Sequence, residues 1–159
     1  MEPGEFRSTL GHFASGVVVV TAIHSGRPTG FTCQSFFSLS LDPPLVAVAP
    51  GKSSTSWPKV AEAGSFCINI LATDQEPLAR TFANSGADKF AGVGWSPAPW
   101  SAPGGPPRLH GALAWVDCTV ETIHDAGDHY LAVGRVVGLE TGVGHPLLFY
   151  RGGFGGFES

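Results

Sequence analysis

Residues 30–46 read GFTCQSFFSLSLDPPLV and combine apolar with small polar side chains. This segment begins like a strand, continues as a run of small polar residues, and enters an apolar strand after Pro43 and Pro44. Its apolar side chains suit contact with a core, whereas its hydroxyl and amide side chains do not. The wall of a ligand cavity needs both kinds of side chain. A strand–turn–strand unit with one solvated face is the alternative, and composition alone leaves both readings open.

The length and composition predict one domain covering residues 1–159, with a sizeable core. Only 14% of the residues are charged, against about 25% in an average globular protein. Part of the surface is therefore expected to be covered by a second subunit, and a homodimer is the simplest way to cover it. The 22 glycines and 13 prolines also dilute the charge.

The charge distribution and the cysteines restrict the partners and the compartment. The net charge is −4 and lysines and arginines form no cluster, which argues against a nucleic-acid partner. No apolar run is long enough to span a bilayer, and no basic segment typical of a secretory signal follows Met1, so we expect no membrane partner. Cys33, Cys67 and Cys118 are odd in number and far apart, which is typical of reduced thiols in a cytoplasmic protein.

Hydrophobic periodicity predicts three helices, at residues 5–14, from the Ser/Thr cluster at 53–56 to residue 63, and from 74 to 84. Phe6, Leu10 and Phe13 would share one face of the first helix. Pro58 is tolerated only in a first turn, so the second helix must start within the Ser/Thr cluster. Asp74 is expected to be the N-cap of the third helix.

Seven strands are predicted, at residues 17–24, 29–33, 45–49, 65–71, 111–123, 130–139 and 147–150. Residues 91–108 are interpreted as an irregular loop, and the tail at 151–157 shows no regular pattern. Most connections are too short for parallel crossovers. The fold class is therefore mainly β, with six to seven antiparallel strands in a barrel or a sandwich and a few short flanking helices.

The strongest candidate site is Lys52-Ser53-Ser54-Thr55, which precedes a predicted helix. Free N–H groups at a helix start, small hydroxyls and an ammonium group together suit a phosphate. The alternative is an ordinary Ser/Thr helix cap beside a solvated lysine.

A second candidate is His129, which follows Asp128 in a tight turn between two long strands. A histidine there can donate to a ligand carbonyl or carboxamide. The alternative is an exposed turn histidine. The histidines lack the spacing of zinc ligands, so no metal is expected. No Gly-x-Ser-x-Gly motif supports a hydrolase, and the glycine-rich segment 152–156 has no helix after it, unlike a nucleotide-binding loop.

Several ordered segments resemble those of the short-chain flavin reductase family, and they cover nearly the whole chain. They are FASGV at 13–17, GFTCQSF at 30–36, SLSLDPPLV at 38–46, KFAGV at 89–93 before Trp95, GDH at 127–129, GRV at 134–136 and PLLFYRG at 146–152. The resemblance implies an antiparallel Greek-key split β-barrel of the FMN-binding type. It also implies the reductase component of a two-component flavin-dependent monooxygenase.

The implied activity is that of an NAD(P)H:flavin oxidoreductase. Hydride would pass from nicotinamide C4 to flavin N5 of FMN or FAD, and a separate monooxygenase would receive the reduced flavin. Such chemistry is carried by the cofactors and needs no protein nucleophile, so no catalytic side chain is expected. The alternative is a flavin- or haem-binding split-barrel protein without turnover. An oxidase of the pyridoxamine-phosphate type is a third possibility, but the arginines are too dispersed along the chain to surround a substrate phosphate.

The resemblance also implies the cofactor-binding residues. The flavin residues would be Thr32, Cys33, Gln34, Ser35, Ala49, Lys52, Ser53, Ser54, Thr55, Phe82, Lys89 and Phe90. The 32–35 segment would line the ring and ribityl chain, and the 52–55 segment would hold the phosphate. Phe82, Lys89 and Phe90 would close the site, either within the same chain or from a dimer partner. His129 and Arg151 would contact the nicotinamide nucleotide. Many family members have Ala-Asn in place of Cys33-Gln34, although glutamine keeps both a donor and an acceptor. The sequence leaves open the choice between FMN and FAD and between NADH and NADPH.

Overall fold

The protein is built around one twisted antiparallel sheet. The structure, a computed structural model, describes residues 1–86, 88–101 and 104–158. Its strands are β1 (Ser15–Gly16), β2 (Val18–His24), β3 (Arg27–Cys33), β4 (Phe36–Ser40), β5 (Leu45–Val48), β6 (Ser65–Ile70), β7 (Trp95–Pro97), β8 (Pro107–Leu109), β9 (Ala114–Ala126), β10 (His129–Thr141), β11 (Leu147–Tyr150) and β12 (Gly153–Gly156). Among the described residues, seven strands form the main sheet in the order β3-β2-β6-β9-β10-β5-β4. The predicted antiparallel, mainly β fold is confirmed.

The described residues also form three α-helices, as predicted. They are α1 (Pro3–Leu10), α2 (Trp57–Ala63) and α3 (Glu76–Ala83). The predicted start of the third helix is wrong, because Asp74 lies inside a 3-10 turn, Thr73–Gln75, and does not cap α3. Pro77 must lie in the first turn of an α-helix, so α3 begins only at Glu76. The side chain of Gln75 accepts a hydrogen bond from the N–H of Ala72 at 2.9 Å.

The first helix also differs from its prediction. It ends at Leu10, not at residue 14, and every side chain of this fully described helix is at least partly exposed. Phe6 is 52% exposed and Leu10 is 55% exposed, so the apolar face expected from their spacing is present but uncovered. Phe13, beyond the helix, is 83% exposed.

Two segments predicted to be irregular contain strands. In the 91–108 segment, β7 pairs with β8, so that Trp95 lies opposite Leu109. The glycine-rich tail forms β12, which pairs with β11 through a turn at Arg151 and Gly152. Glycine has a low strand propensity, but pairing with a neighbouring strand supplies the hydrogen bonds of the ladder.

The core lies on both sides of β2, as expected for a buried apolar strand. Val18 and Val20 belong to a cluster that includes Trp57 and Val60 of α2. Val19 belongs to a second cluster beneath α3, which includes Phe82. Helices α2 and α3 therefore each cover one side of β2.

The long hairpin of β9 and β10 brings its turn to the end of β5. Ala126 pairs with His129 at the end of the hairpin. The N–H of Lys52 donates to the carbonyl of Asp128 at 2.9 Å, and the N–H of Tyr130 donates to the carbonyl of Pro50 at 2.9 Å. These bonds fix His129 beside Gly51. No helix within the described ranges has the length and apolarity required to cross a membrane.

Candidate functional site

A cleft of about 540 Å³ lies where the end of β3, the segment after β5 and the end of α3 meet. We call it the main cleft. It is lined by Phe31, Thr32, Cys33, Gln34, Ser35, Ala49, Pro50, Gly51, Ser53, Ser54, Thr55, Ser56, Phe82, Ala83, Asn84, Ser85, Lys89 and His129. Its volume lies within the range of roughly 300–1,000 Å³ that is common for small-molecule sites. Most of the predicted flavin residues therefore lie around one cavity.

The end of β3 forms one wall of the main cleft, and its hydroxyls hold that wall in place. Thr32 Oγ1 donates to the carbonyl of Ala79 in α3 at 2.6 Å. Ser35 Oγ lies 3.1 Å from both the N–H and the carbonyl oxygen of Ala49. Cys33 Sγ lies 3.1 Å from Ser35 Oγ, and the Cys33 side chain is buried. Gln34 is exposed, and its amide makes no side-chain hydrogen bond within the described part of the chain.

Gly30 lets α3 approach β3 closely. A Cβ at this position would lie 2.8 Å from the carbonyl oxygen of Val20 and 3.1 Å from Cε1 of Phe82. Both contacts are closer than ordinary packing allows, so a side chain here would push Phe82 away. The glycine at the start of the 30–46 segment is therefore explained by packing.

The segment after β5 forms the opposite wall. Ser54 Oγ accepts a hydrogen bond at 3.1 Å from the N–H of Trp57, the first residue of α2. Ser53 and Thr55 line the cleft and are exposed. Helix α2 has only seven residues, so the hydroxyls and backbone of the preceding loop, more than a helix dipole, define this wall.

Lys89 joins the two walls. Its Nζ donates to the carbonyl of Gly30 at 3.1 Å, to the carbonyl of Phe82 at 3.2 Å and to Ser56 Oγ at 3.3 Å. All three acceptors are neutral oxygens. Burial, and then the positive charge of Lys59, lower the pKa of Lys89 below its usual value. The cleft wall thus contains a partly buried cation without a carboxylate partner among the described residues.

His129 lies at the rim of the cleft, half exposed. Its Nδ1 lies 2.8 Å from Asp128 Oδ1. The hydrogen bond from His129 lowers the pKa of the Asp128 carboxyl below its ordinary value. A carboxylate only accepts, so Nδ1 is the donor. This leaves Nε2, on the Gly51 side, as an acceptor in neutral histidine and as a donor in the protonated form.

Three predicted residues do not line the main cleft. Lys52 forms an ion pair with Asp125, which raises the pKa of Lys52, and its Nζ lies 5.3 Å from the Tyr130 ring centroid. Phe90 is buried and packs edge-on against Phe82 with ring centroids 4.9 Å apart. It supports a residue of the cleft without lining it.

Arg151, the third, lines a separate cavity of about 690 Å³ between α1 and β11, which we call the second cavity. It is lined by Phe6, Arg7, Ser8, Leu10, Gly11, Phe13, Ser15, Gln34, Phe149, Arg151 and Gly152. Gln34 lines both cavities, so the two spaces adjoin at this side chain.

Several lining residues were not predicted as site residues: Phe31, Pro50, Gly51, Ser56, Ala83, Asn84 and Ser85. Asn84 and Ser85 were interpreted only as the end of a helix. They follow Phe82, already assigned to the site, by two and three residues, and this closeness along the chain is the signal that identifies them.

Comparison with known proteins identifies the family of this chain. The family model of the flavin reductase like domain matches residues 10–158. The reductase subunit HsaB of a flavin-dependent monooxygenase from Rhodococcus jostii is 46% identical over 159 residues, covering 99% of this chain and 80% of the relative. SmoA of Agrobacterium fabrum, named as an FMN reductase (NADH), is 42% identical, with 96% of this chain and 85% of the relative covered.

A solved structure shows the same fold. The NADH:FAD oxidoreductase of Streptomyces globisporus, solved in complex with NAD and FAD fragments, superposes with a TM-score of 0.91 at 32% identity, covering 99% of this chain and 93% of that chain. The predicted split-barrel fold is thereby confirmed. The chain belongs to the flavin reductase like domain family.

Proposed function

We propose that this protein is an NAD(P)H-dependent flavin reductase that binds FMN or FAD in the main cleft and supplies reduced flavin to a separate monooxygenase. The family membership and the names of the relatives support the enzyme class and both cofactors. The observation that carries the proposal is the main cleft itself. It combines a polar β3 wall, a hydroxyl-rich loop and the cation of Lys89 in one cavity.

The residues present fit a flavin. The exposed amide of Gln34 offers a donor and an acceptor, as the polar edge of an isoalloxazine ring requires. Ser53 and Thr55 offer hydroxyls to a phosphate, and the charge of Lys89 favours an anion nearby. The ring therefore lies along 32–35 and Ala49, with the phosphate at 53–55. In this arrangement, Lys52 acts through its backbone only, because its ammonium group is paired with Asp125.

A bound flavin would supply the ring that takes a hydride from a reduced nicotinamide, and residues 32–35, Ala49 and residues 53–55 would hold that flavin. By holding both nucleotides in one cleft, the chain would accelerate the transfer through proximity. Phe82, with Phe90 packed edge-on behind it, would provide an apolar inner end to that cleft. His129 binds the nicotinamide nucleotide at the rim. Arg151 lies in the adjoining second cavity, where its charge suits a nucleotide phosphate.

A spectrophotometric assay tests this function. NADH and NADPH oxidation is measured with no flavin, with FMN and with FAD. We expect oxidation of at least one nucleotide that depends on added flavin. Background rates under all six conditions would refute the proposal. Tight flavin binding without nucleotide oxidation would instead support the alternative, a split-barrel binding protein without turnover.

The role of His129 is tested with His129→Ala. We expect the nicotinamide KM to rise about tenfold, as for the loss of one charge-assisted hydrogen bond, while the flavin Kd changes little. His124→Ala is the matched control, because His124 is exposed on the same hairpin and bonds only to Thr122 among the described residues. Equal changes in both constants would contradict this assignment.

We also propose a homodimer of single-domain subunits. Leu41 is 94% exposed and Leu139 is 71% exposed, and Phe6 and Phe13 are also exposed. A second subunit would cover such large apolar side chains. The predicted occupant is a second copy of this chain. Sedimentation velocity should give about twice the chain mass of 16.5 kDa. A single species at the chain mass up to high micromolar concentration would rule the dimer out.

We place the protein in the cytoplasm. All three cysteines are free thiols. Cys67 and Cys118 lie on the adjacent strands β6 and β9 and are fully buried without forming a disulfide. Free buried thiols are typical of a reducing compartment. Fractionation of the native host, with assay of the flavin-dependent activity in each fraction, tests this placement.

A further inference from the structure

A third cavity, of about 850 Å³, continues from the phosphate end of the main cleft. It lies between the β2–β3 turn, the start of α2 and the segment after α3. Thr55, Ser56 and Lys89 line both spaces. The two spaces therefore adjoin beside Lys89, at the end of the main cleft where residues 53–55 lie.

The third cavity is positively charged. Arg27, Lys59 and Lys89 line it. Neither Arg27 nor Lys59 has a carboxylate partner in the portion of the chain that the structure describes. The charge of Lys59 is close enough to that of Lys89 to lower the Lys89 pKa.

The acidic groups nearby offset this charge only in part. Asp88 lines the cavity, and its Oδ1 accepts the N–H of Phe90 at 3.2 Å. Glu62 lies 3.2 Å from Nε2 of His24. Pro28 and Phe90 add an apolar surface. A cationic cavity with one apolar wall suits a phosphate attached to a flat, weakly polar ring.

FAD differs from FMN by one additional group of this kind, a phosphate attached to a ring system. FAD carries an adenosine monophosphate group on the phosphate that FMN leaves free. We propose that the third cavity binds the adenosine monophosphate half of FAD, with Arg27 and Lys59 on its phosphate, so that this chain prefers FAD to FMN. The proposal rests on the function proposed above and adds the identity of the flavin. Among the relatives, one is named for FMN and another for FAD, so family membership alone leaves the choice open.

The test compares FMN and FAD affinities by quenching of flavin fluorescence. We expect the intact protein to bind FAD about tenfold more tightly than FMN, as one or two partly exposed charge-assisted hydrogen bonds would provide. The double variant Arg27→Ala/Lys59→Ala should lose that preference while keeping its FMN affinity within about twofold. Unchanged FMN affinity also shows that the variant is folded.

Arg80→Ala is the matched control, because Arg80 is an exposed cation paired with Glu76 and lines none of the three cavities. It should leave both affinities unchanged. Free AMP should compete with FAD but not with FMN.

Three results would overturn the proposal. They are equal affinities for FMN and FAD in the intact protein, an equal loss of both in the double variant, or a rise in the NADH or NADPH KM in that variant with the FAD preference retained. The last would assign the third cavity to the nicotinamide nucleotide. If neither flavin binds at all, the proposed function fails, whereas tight FMN binding without a preference for FAD refutes this inference alone.

Discussion

Cys118 shows how strongly a single buried side chain can be affected by its surroundings. It is fully buried on β9, close to Gly134 of β10. Burial, and then the negative charge of Asp117, raise the pKa of its thiol from 9.0 to about 12. In the unfolded chain the thiol ionises near its ordinary value, whereas in the folded chain it stays protonated to much higher pH. The free energy of unfolding must therefore fall as the pH rises above 9.

Cys118→Ala should remove this part of the alkaline sensitivity. Between pH 9 and pH 11, the intact protein should lose about 2–3 kcal/mol more of its unfolding free energy than the variant does. Below pH 9 the difference between the two proteins should not depend on pH. Urea unfolding at pH 7, 9 and 11 measures the unfolding free energies of the intact protein and of the variant. Cys67 is present in both proteins, and its pKa is raised mainly by burial, which the substitution leaves unchanged, with Cys118 as the smallest cause. Parallel pH profiles would contradict the prediction.

At the scale of the elements, the contact between β3 and α3 determines the shape of the main cleft. It depends on Gly30, on the hydrogen bond from Thr32 to Ala79, and on Lys89, which bonds to both elements. A displacement of α3 would move Phe82 and Lys89 together. Stability and ligand binding should therefore respond jointly to changes at this contact.

Gly30→Ala should destabilise the protein by about 1–3 kcal/mol, because its methyl group overlaps the Val20 carbonyl and the Phe82 ring. It should also weaken flavin binding. Gly155→Ala is the control, since the added Cβ meets no heavy atom within 4 Å, and it should change stability by less than about 0.5 kcal/mol. Thermal unfolding and flavin titration of both variants measure these effects. Equal stability of the two variants would show that α3 adjusts without loss.

The elements also show which parts of the fold the sequence can predict. β11 has its predicted bounds, and β2 was recognised as buried, because apolar β-branched runs report burial directly. β12 was missed because three of its four residues are glycines, which have low strand propensity, and its order comes from pairing with β11. The prediction of α3 began too early because an aspartate before a helix looks like a cap until the position of Pro77 is taken into account.

The sequence predicted which residues lie at the site, but not the long-range contacts that they make. Thr32–Ser35 and Ser53–Thr55 meet in one cleft because the short connections of an antiparallel sheet bring them together. The resemblance assigned Lys89 to the site, but its contacts with Gly30 and Phe82 depend on tertiary packing and leave no local pattern. Lys52 pairs with Asp125, which lies on a hairpin far along the chain. The sequence of residues 52–55 alone therefore could not predict this ion pair.

At the scale of the whole molecule, a buried ion pair joins the 91–110 segment to the main sheet. Arg108 on β8 contacts Asp117 on β9 and the more exposed Glu140 on β10. Arg108 Nε lies 3.2 Å from Asp117 Oδ2, and Asp117 is fully buried. The hydrogen bond with Asp117 raises the pKa of Arg108. Loss of Arg108 would leave a buried carboxylate without its partner.

Arg108→Met should therefore lower the free energy of unfolding by about 3–5 kcal/mol. Glu140→Gln should change it by less than about 1 kcal/mol, because that carboxylate is 58% exposed. The double variant Arg108→Met/Asp117→Leu should be more stable than Arg108→Met alone, since it removes the unpaired charge. Chemical denaturation of the three variants gives these values. A double variant no more stable than Arg108→Met would mean that Asp117 finds another partner.

The three hydrogen bonds of Lys89 have a further consequence. An ammonium group has three protons, and the structure places all three on oxygens of the protein itself. An anion in the main cleft or the third cavity therefore experiences Lys89 through its field and not as a hydrogen-bond donor. Such an attraction acts without directional preference over several ångströms, and dissolved ions weaken it over a screening length of about 8–10 Å at ordinary salt concentrations. The contribution of Lys89 to holding a flavin should then vary with ionic strength, and flavin release to the partner monooxygenase should vary with it.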